Sequence, residues 1–234
     1  MQKQNLSQTT ATQALRAELD EVQQQMSGAV DELYSPLRDL VRSQLRLAAP
    51  SVRAAVVLAA GVGAPDTNDL REKRILLASA LEMLYIALHI HRRLLTNATT
   101  NSGDTGDKSW LGSIILAGDY CFSRAAILAA RTNSPEVVMI FATALKIVNE
   151  GNLRQHFTKE ETSFDENQKL FEAGARAATT LANLPPETIN ALADFGATLA
   201  GPNPSGVPVL AQITAEQKAR WIALQDWLSA ETNQ

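Results

Sequence analysis

Cysteine, aromatic residues and basic charge are all scarce in this sequence of 234 residues. The single cysteine, Cys121, has no partner for an internal disulfide, and no second cysteine joins the three histidines in a zinc-binding pattern. A formal net charge of −4 provides no cationic surface for a polyanion, so we expect no nucleic-acid partner. Cysteine usage fits a reducing compartment, and we expect the protein to be cytoplasmic.

Long, continuously apolar runs are missing as well. None approaches the roughly 18 to 20 residues that span a bilayer. Residues 1–11 are rich in Gln and Thr and lack the apolar stretch of a signal peptide. We therefore expect a soluble, unprocessed chain with no transmembrane segment.

The sequence is rich in aliphatic residues. Hydrophobic residues make up 45% of the chain and charged residues 20%, whereas aromatics supply only 5%. Small and aliphatic side chains suit closely packed helices, so we predict an all-α fold in a single domain. The polar, unpatterned residues 1–10 are expected to form a flexible tail, and residues 11–234 the helical domain.

The spacing of apolar residues predicts about nine helices. Capping patterns and Pro-Gly breaks set most of their limits, and no alternating pattern of useful length indicates a strand. The segment 96–106 is the most loop-like, because it is dense in Thr, Asn, Ser and Gly. The first two predicted helices begin at residue 14 and near residue 33. The others are 52–60, 69–95, 108–131, 135–149, an Ala-rich helix that ends at 184, 186–199 and 215–228.

Three segments carry a resemblance to a known family. They are residues 80–91 (ALEMLYIALHIH), 116–120 (LAGDY) and 149–155 (NEGNLRQ), in that order. Together they resemble the polyprenyl synthetase (trans-isoprenyl diphosphate synthase) family, and the likeness extends over roughly residues 30 to 200. The resemblance implies an isoprenoid-synthase-like helical bundle and prenyltransferase chemistry. In the family, paired aspartates on two facing helices hold Mg²⁺ against an allylic diphosphate.

The two Asp-rich motifs implied by the resemblance are absent. Where the first should follow His91, the sequence reads Arg92-Arg93-Leu94-Leu95-Thr96, and no two aspartates are adjacent anywhere in the chain. One unit charge about 4 Å from a dication costs on the order of 8 kcal/mol at an effective dielectric constant near 20. We therefore expect no Mg²⁺ cofactor. The chain is also shorter than the family at its C-terminal end.

Three arginines are the candidate site residues. Arg53 falls where the family has a basic Lys-x-x-Arg-Pro segment, and Arg92 and Arg93 replace aspartates of the first motif. Their planar guanidinium groups could hold a diphosphate directly. They could also contact a partner chain, and Arg92 and Arg93 could simply complement the negative end of their helix dipole in solvent.

The carboxylates offer no clear catalytic set. We interpret Glu82, on a buried helix, and Asp119, in the LAGDY segment, as structural hydrogen-bonding residues. The acidic group formed by Glu160, Glu161, Asp165 and Glu166 is interpreted as a solvated helix start. No catalytic residue is assigned.

The resemblance leads to two hypotheses. The first is a non-catalytic subunit of a heteromeric polyprenyl diphosphate synthase, supporting the activity or product length of a catalytic partner through an apolar interface in residues 110–149. Self-association of the isolated chain would use the same face. The alternative is a pseudoenzyme that binds an isoprenyl diphosphate without metal, as a sensor or carrier.

Overall fold

A computed structural model describes residues 2–47, 52–98, 107–157, 164–201 and 213–232. Within these ranges the chain forms nine α-helices and no strand, so the predicted all-α fold is confirmed. In chain order the helices are α1 (Gln2–Asp31), α2 (Leu37–Leu47), α3 (Val52–Ala60), α4 (Asn68–Ala98), α5 (Asp107–Ala130), α6 (Pro135–Phe157), α7 (Glu166–Leu181), α8 (Pro186–Thr198) and α9 (Ala215–Thr232).

The largest departures from the predicted limits occur near the N-terminus. The structure places residues 2–10 in α1, where the sequence predicts a flexible tail. No Gly or Pro precedes Gly28, so nothing in this stretch breaks a helix once it has started. Leu33 lies in the connection before Pro36 instead of in the second helix. Most of the predicted loop at 96–106 lies outside the described residues.

Helices α3 and α4 form the centre of the bundle. Every residue of α3 from Arg53 to Ala60 is buried, which explains why this segment has no polar face. Helices α4 and α5 each contain a window long and apolar enough to cross a membrane. The α4 window, however, is 78% buried by its neighbours in the bundle, against 39% for the α5 window. Packing in the core thus accounts for the apolar composition of α4.

Close packing between α7 and α8 explains the Gly-Ala and Phe-Gly pairs in this part of the sequence. A methyl group at Gly196 would lie 2.9 Å from Ala175 Cβ and 3.1 Å from the Phe171 carbonyl oxygen. Next to it, the Phe195 ring meets Trp221 of α9 edge-on, with centroids 4.9 Å apart. Small residues therefore bring α7 and α8 together, and an aromatic pair joins α9 to them.

Helices α5 and α6 lie on the outside of the bundle. Only a narrow stripe of α6 is buried, at Val137, Phe141, Ala144 and Val148. The spacing of 4, 3 and 4 residues marks a single helix face. Large apolar side chains on the other faces of the two helices are exposed, and they are Ile115, Leu116, Ile127, Val138, Met139, Ile147, Leu153 and Phe157.

Candidate functional site

Arg53 lies in the first turn of α3 and is buried, with 6% of its surface exposed. Its Nε donates to Glu82 Oε2 over 3.1 Å, and its guanidinium group lies 3.5 Å from the centroid of the Tyr85 ring. Arg53 Nη1 also donates to Asn167 Oδ1 of α7, over 3.4 Å. A guanidinium in this position is held by a carboxylate, an aromatic face and an amide oxygen at once.

Glu82 accepts a hydrogen bond from the first turn of α3. The amides in the first turn of a helix have no acceptor within the helix, and Ala54 N donates to Glu82 Oε1 over 2.8 Å. Burial raises the pKa of Glu82, and the nearby Arg53 charge and the Ala54 amide offset this rise only in part. The contacts confirm the structural interpretation of Glu82.

A second polar cluster joins α4, α6 and α7. Arg92 Nη2 donates to Glu166 Oε2, and Asn152 Nδ2 donates to the same oxygen over 2.9 Å. Glu166 is only 7% exposed, and its Oε1 has no hydrogen-bond partner among the described residues. Interpreting Glu166 as a solvated residue was therefore wrong, because α6 and the end of α4 cover it.

The cap of α7 lies one residue before Glu166. Asp165 is the N-cap, and its Oδ1 accepts a hydrogen bond from Gln168 N over 3.2 Å. A carboxylate in the first turn, such as that of Glu166, also faces the positive end of the helix dipole. Glu160 and Glu161 lie outside the described residues.

Two of the three candidate arginines meet the same helix end. Arg53 contacts Asn167 and Arg92 contacts Glu166, which are neighbours in the first turn of α7. The structure thus brings together two positions that lie 39 residues apart in the sequence. Arg93 belongs to α4, but its side chain lies outside the described part of the chain.

The LAGDY segment forms the contact between α4 and α5. A Cβ atom at Gly118 would overlap the His91 ring, so only glycine allows this approach. Asp119 Oδ1 lies 3.3 Å from His91 Nε2, and the Tyr120 hydroxyl donates to the Ala29 carbonyl oxygen of α1. These contacts agree with a structural interpretation of Asp119.

Neither a metal-binding set nor a reactive thiol occurs among the side chains that the structure describes. They include no set of three or more His, Cys, Asp or Glu residues positioned to hold a metal ion. Cys121 is buried, and burial raises the pKa of its thiol to about 12, so the thiol is protonated at neutral pH.

The sequence analysis missed a buried ion network between α1, α4 and α9. Glu18 Oε1 accepts from Arg74 Nη2 over 2.6 Å, and Glu18 Oε2 accepts from Arg220 Nη1 over 2.8 Å. Arg74 also pairs with Asp66. A signal was available, because Glu18 lies at helical spacing between Leu15 and Val22 and so falls within the apolar stripe of α1.

The protonation of this network follows from its contacts. Burial alone would raise the pKa of Glu18, but the hydrogen bonds and charges of Arg74 and Arg220 outweigh burial and lower it. The pKa of Arg74 is raised despite burial, since Glu18 and Asp66 both hold its charged form. Glu18 is therefore ionised at neutral pH.

Sequence comparisons relate the chain to polyprenyl diphosphate synthases. No family model matches the chain. The chain is 26% identical over 190 residues to heptaprenyl diphosphate synthase component 2 of Geobacillus stearothermophilus, covering 80% of this chain and 56% of that protein. It is 29% identical over 118 residues to mitochondrial solanesyl-diphosphate synthase 1 of Oryza sativa subsp. japonica, covering 50% and 27%.

Structural similarity leads to the same group of proteins. A crystal structure of a decaprenyl diphosphate synthase from Rhodobacter capsulatus matches with a TM-score of 0.63 and 22% identity, over 83% of this chain and 64% of that one. The chain is thus similar in sequence to polyprenyl diphosphate synthases and shares their all-α fold. It spans little more than half the length of the Geobacillus relative and about a quarter of the rice relative.

The similarity to polyprenyl diphosphate synthases gives the two arginine clusters their context. The end of α4, where the family resemblance places the first Asp-rich motif, carries the ion pair between Arg92 and Glu166. The start of α3, where it places a basic segment, carries the buried pair between Arg53 and Glu82. Both positions hold salt bridges that tie the helices of this chain together.

Proposed function

We propose that this chain is a non-catalytic subunit of a heteromeric polyprenyl diphosphate synthase, which supports the activity or the product chain length of a catalytic partner. The observation that carries the proposal is the end of α4. There Arg92 and Arg93 stand in place of aspartates, and Arg92 pairs with Glu166 across to α7. A salt bridge stabilises the bundle at this point without contributing a metal ligand.

The residues at this position do not fit Mg²⁺. Magnesium takes six oxygen ligands in a near-octahedral arrangement, and protein sites usually supply carboxylates. The described side chains here offer one carboxylate, Glu166, which already accepts hydrogen bonds from Arg92 and Asn152. A dication next to Glu166 would also face the charge of Arg92.

The exposed apolar surface of α5 and α6 supports a partner subunit. We name it the α5–α6 face and define it by Ile115, Ile127, Val138 and Met139, each at least 41% exposed. Scattered single apolar residues are normal on a protein surface, but several large ones exposed on two adjacent outer helices are typical of an interaction site.

The similarity to heptaprenyl diphosphate synthase component 2 also favours an assembly, because that protein is named as one component of a synthase. We extend this property to the present chain as part of the proposal. The polyprenyl synthetase of the same organism that carries both Asp-rich motifs is the natural partner to test.

A mixing experiment tests the proposal. Prenyl transfer with Mg²⁺ is measured for this chain alone, for the Asp-motif synthase alone and for the mixture, with products separated by chain length. We expect no product from this chain alone and a change in rate or chain length in the mixture. A mixture that behaves as the synthase alone would overturn the proposal.

One observation favours the second candidate, a metal-free binder of an isoprenyl diphosphate. Arg53 and Arg92 converge on the first turn of α7, where helix amides and two guanidinium groups could face an anion. Binding would require the diphosphate to displace Glu166 or Glu82 from an arginine. Calorimetric titration with farnesyl diphosphate in EDTA tests this candidate, since binding that weakens in Arg92→Ala would support it and no heat of binding would exclude it.

A further inference from the structure

We infer that the partner subunit contacts α6 on both sides, with one of its helices lying in the groove between α6 and α7. This inference rests on the proposed function, because it extends the α5–α6 face to a third helix. The occupant we assign to the groove is an amphipathic helix of the same partner, with an apolar stripe and a carboxylate on its flank.

Two apolar grooves flank α6. The groove between α5 and α6 has a volume of about 140 Å³, with Leu84 of α4 and residues such as Ala126 and Ala142 among its lining. The groove between α6 and α7 has a volume of about 160 Å³ and is lined by residues that include Met139, Thr143 and Ala173. Each has room for apolar side chains of a neighbouring helix.

The exposed side chains of α6 show that the second groove continues the first. Val138 borders the α5 side and Met139 the α7 side, and Met139 is 67% exposed. Ile147 extends the apolar surface one turn further along the α7 side. Because helices pack with their axes 8–10 Å apart, a partner helix pair seated on the α5–α6 face would lie within reach of both grooves.

Charges at the edge of the α6–α7 groove indicate what the occupant carries. Glu172 lies between two cations, with its Oε2 3.1 Å from Lys169 Nζ and its Oε1 3.8 Å from Arg176 Nη2. The edge therefore has one net positive charge, on the α7 side of an apolar floor. A helix with an apolar stripe and a flanking Asp or Glu complements this arrangement.

Adjacent residues of α6 provide a matched test. Ala142 lines the first groove, Thr143 lines the second, and both are exposed, so Ala142→Glu and Thr143→Glu add the same charge on opposite sides of one ridge. Binding of each variant to the Asp-motif synthase is measured by sedimentation velocity, with helicity checked by circular dichroism. We expect each to weaken binding on the order of 100-fold, because the longer, charged side chain would occupy the apolar floor of the groove in which the partner helix lies.

The control is Gln23→Glu, on an exposed face of α1, which should bind as the unmodified chain does. Weakening by Ala142→Glu alone would overturn the inference and leave the proposed subunit role standing. Weakening by neither α6 variant would remove both the inference and the α5–α6 face. Weakening by both variants supports contact on both sides of α6, and weakening by Thr143→Glu alone would overturn that two-sided contact.

Discussion

At the scale of single residues, charge distinguishes the two ends of α4. Near its start, Arg74 is fully buried and is neutralised by Glu18 and Asp66. At its end, Arg92 is partly exposed and pairs with the buried Glu166. A buried ion that loses its partner is costly, since the remaining charge stays out of water. Conservative replacements of these carboxylates should therefore have large effects.

Glu18→Gln should strongly destabilise the protein, because Arg74 and Arg220 would lose the carboxylate that both bind. We expect a loss of about 3–5 kcal/mol in the free energy of unfolding, measured in urea at pH 7. Glu21→Gln is the matched control, since Glu21 is partly exposed and pairs with Arg71, so its loss should cost less than about 1 kcal/mol. Equal effects of the two variants would argue against the network.

The two buried glutamates should affect the pH dependence of stability in opposite directions. The pKa of Glu18 is lowered in the folded protein, so its contribution is present above about pH 4.5 and is lost as the pH falls through the folded value. The pKa of Glu82 is raised, so its contribution is present below about pH 4.5 and is lost as the pH rises through the folded value.

Urea unfolding between pH 3 and pH 7 checks this pair. The destabilisation caused by Glu18→Gln should shrink as the pH falls. The free energy of unfolding of the unmodified protein relative to Glu82→Gln should instead increase as the pH falls. Parallel pH profiles for all three proteins would falsify the assigned directions.

At the scale of helices, small residues determine which surfaces meet. Gly118 admits the His91 ring between α4 and α5, and Gly196 brings α8 onto α7. Glycine costs helix stability, so its presence in a helix interior at a close approach has a packing reason. In contrast, Gly28 of α1 has no neighbouring atom within 4 Å of its would-be Cβ.

Gly196→Ala should destabilise the protein, because the new methyl group would meet Ala175 Cβ and a backbone oxygen, neither of which can rotate away. We expect a cost of about 1–3 kcal/mol, measured as a lower midpoint of urea unfolding. Gly28→Ala is the control and should stabilise α1 by about 0.5–1 kcal/mol. Stabilisation by both variants would contradict the close contact between α7 and α8.

Helix limits were predictable where local chemistry defines them. Helix α9 begins where the sequence predicts, because Thr214 Oγ1 accepts from Gln217 N over 3.0 Å and caps it, and α3 has the predicted limits. The extension of α6 to Phe157 was missed, because residues 150–157 contain Gly151 and have no clear apolar stripe. The partners of Arg92 and Arg53 depend on contacts between distant segments, which no local pattern specifies.

At the scale of the whole molecule, the bundle has the fold of polyprenyl diphosphate synthases, and the end of α4 carries the salt bridge between Arg92 and Glu166. The helices that surround α4 are joined by salt bridges at Glu18, Glu82 and Glu166. The outer helices leave an apolar face that this chain does not cover in its described parts. A scaffold stabilised in this way suits a subunit that acts through contact with another protein.

The most direct test of this account uses the reconstituted complex of this chain with the Asp-motif synthase, in which the first Asp-rich motif of the partner is changed to alanines. Mg²⁺-dependent condensation of farnesyl and isopentenyl diphosphates is then measured. We predict that product formation falls to background although this chain is intact, because its own α4 end holds arginines. Product made by this complex, or by the isolated chain, would show that the chain is catalytic.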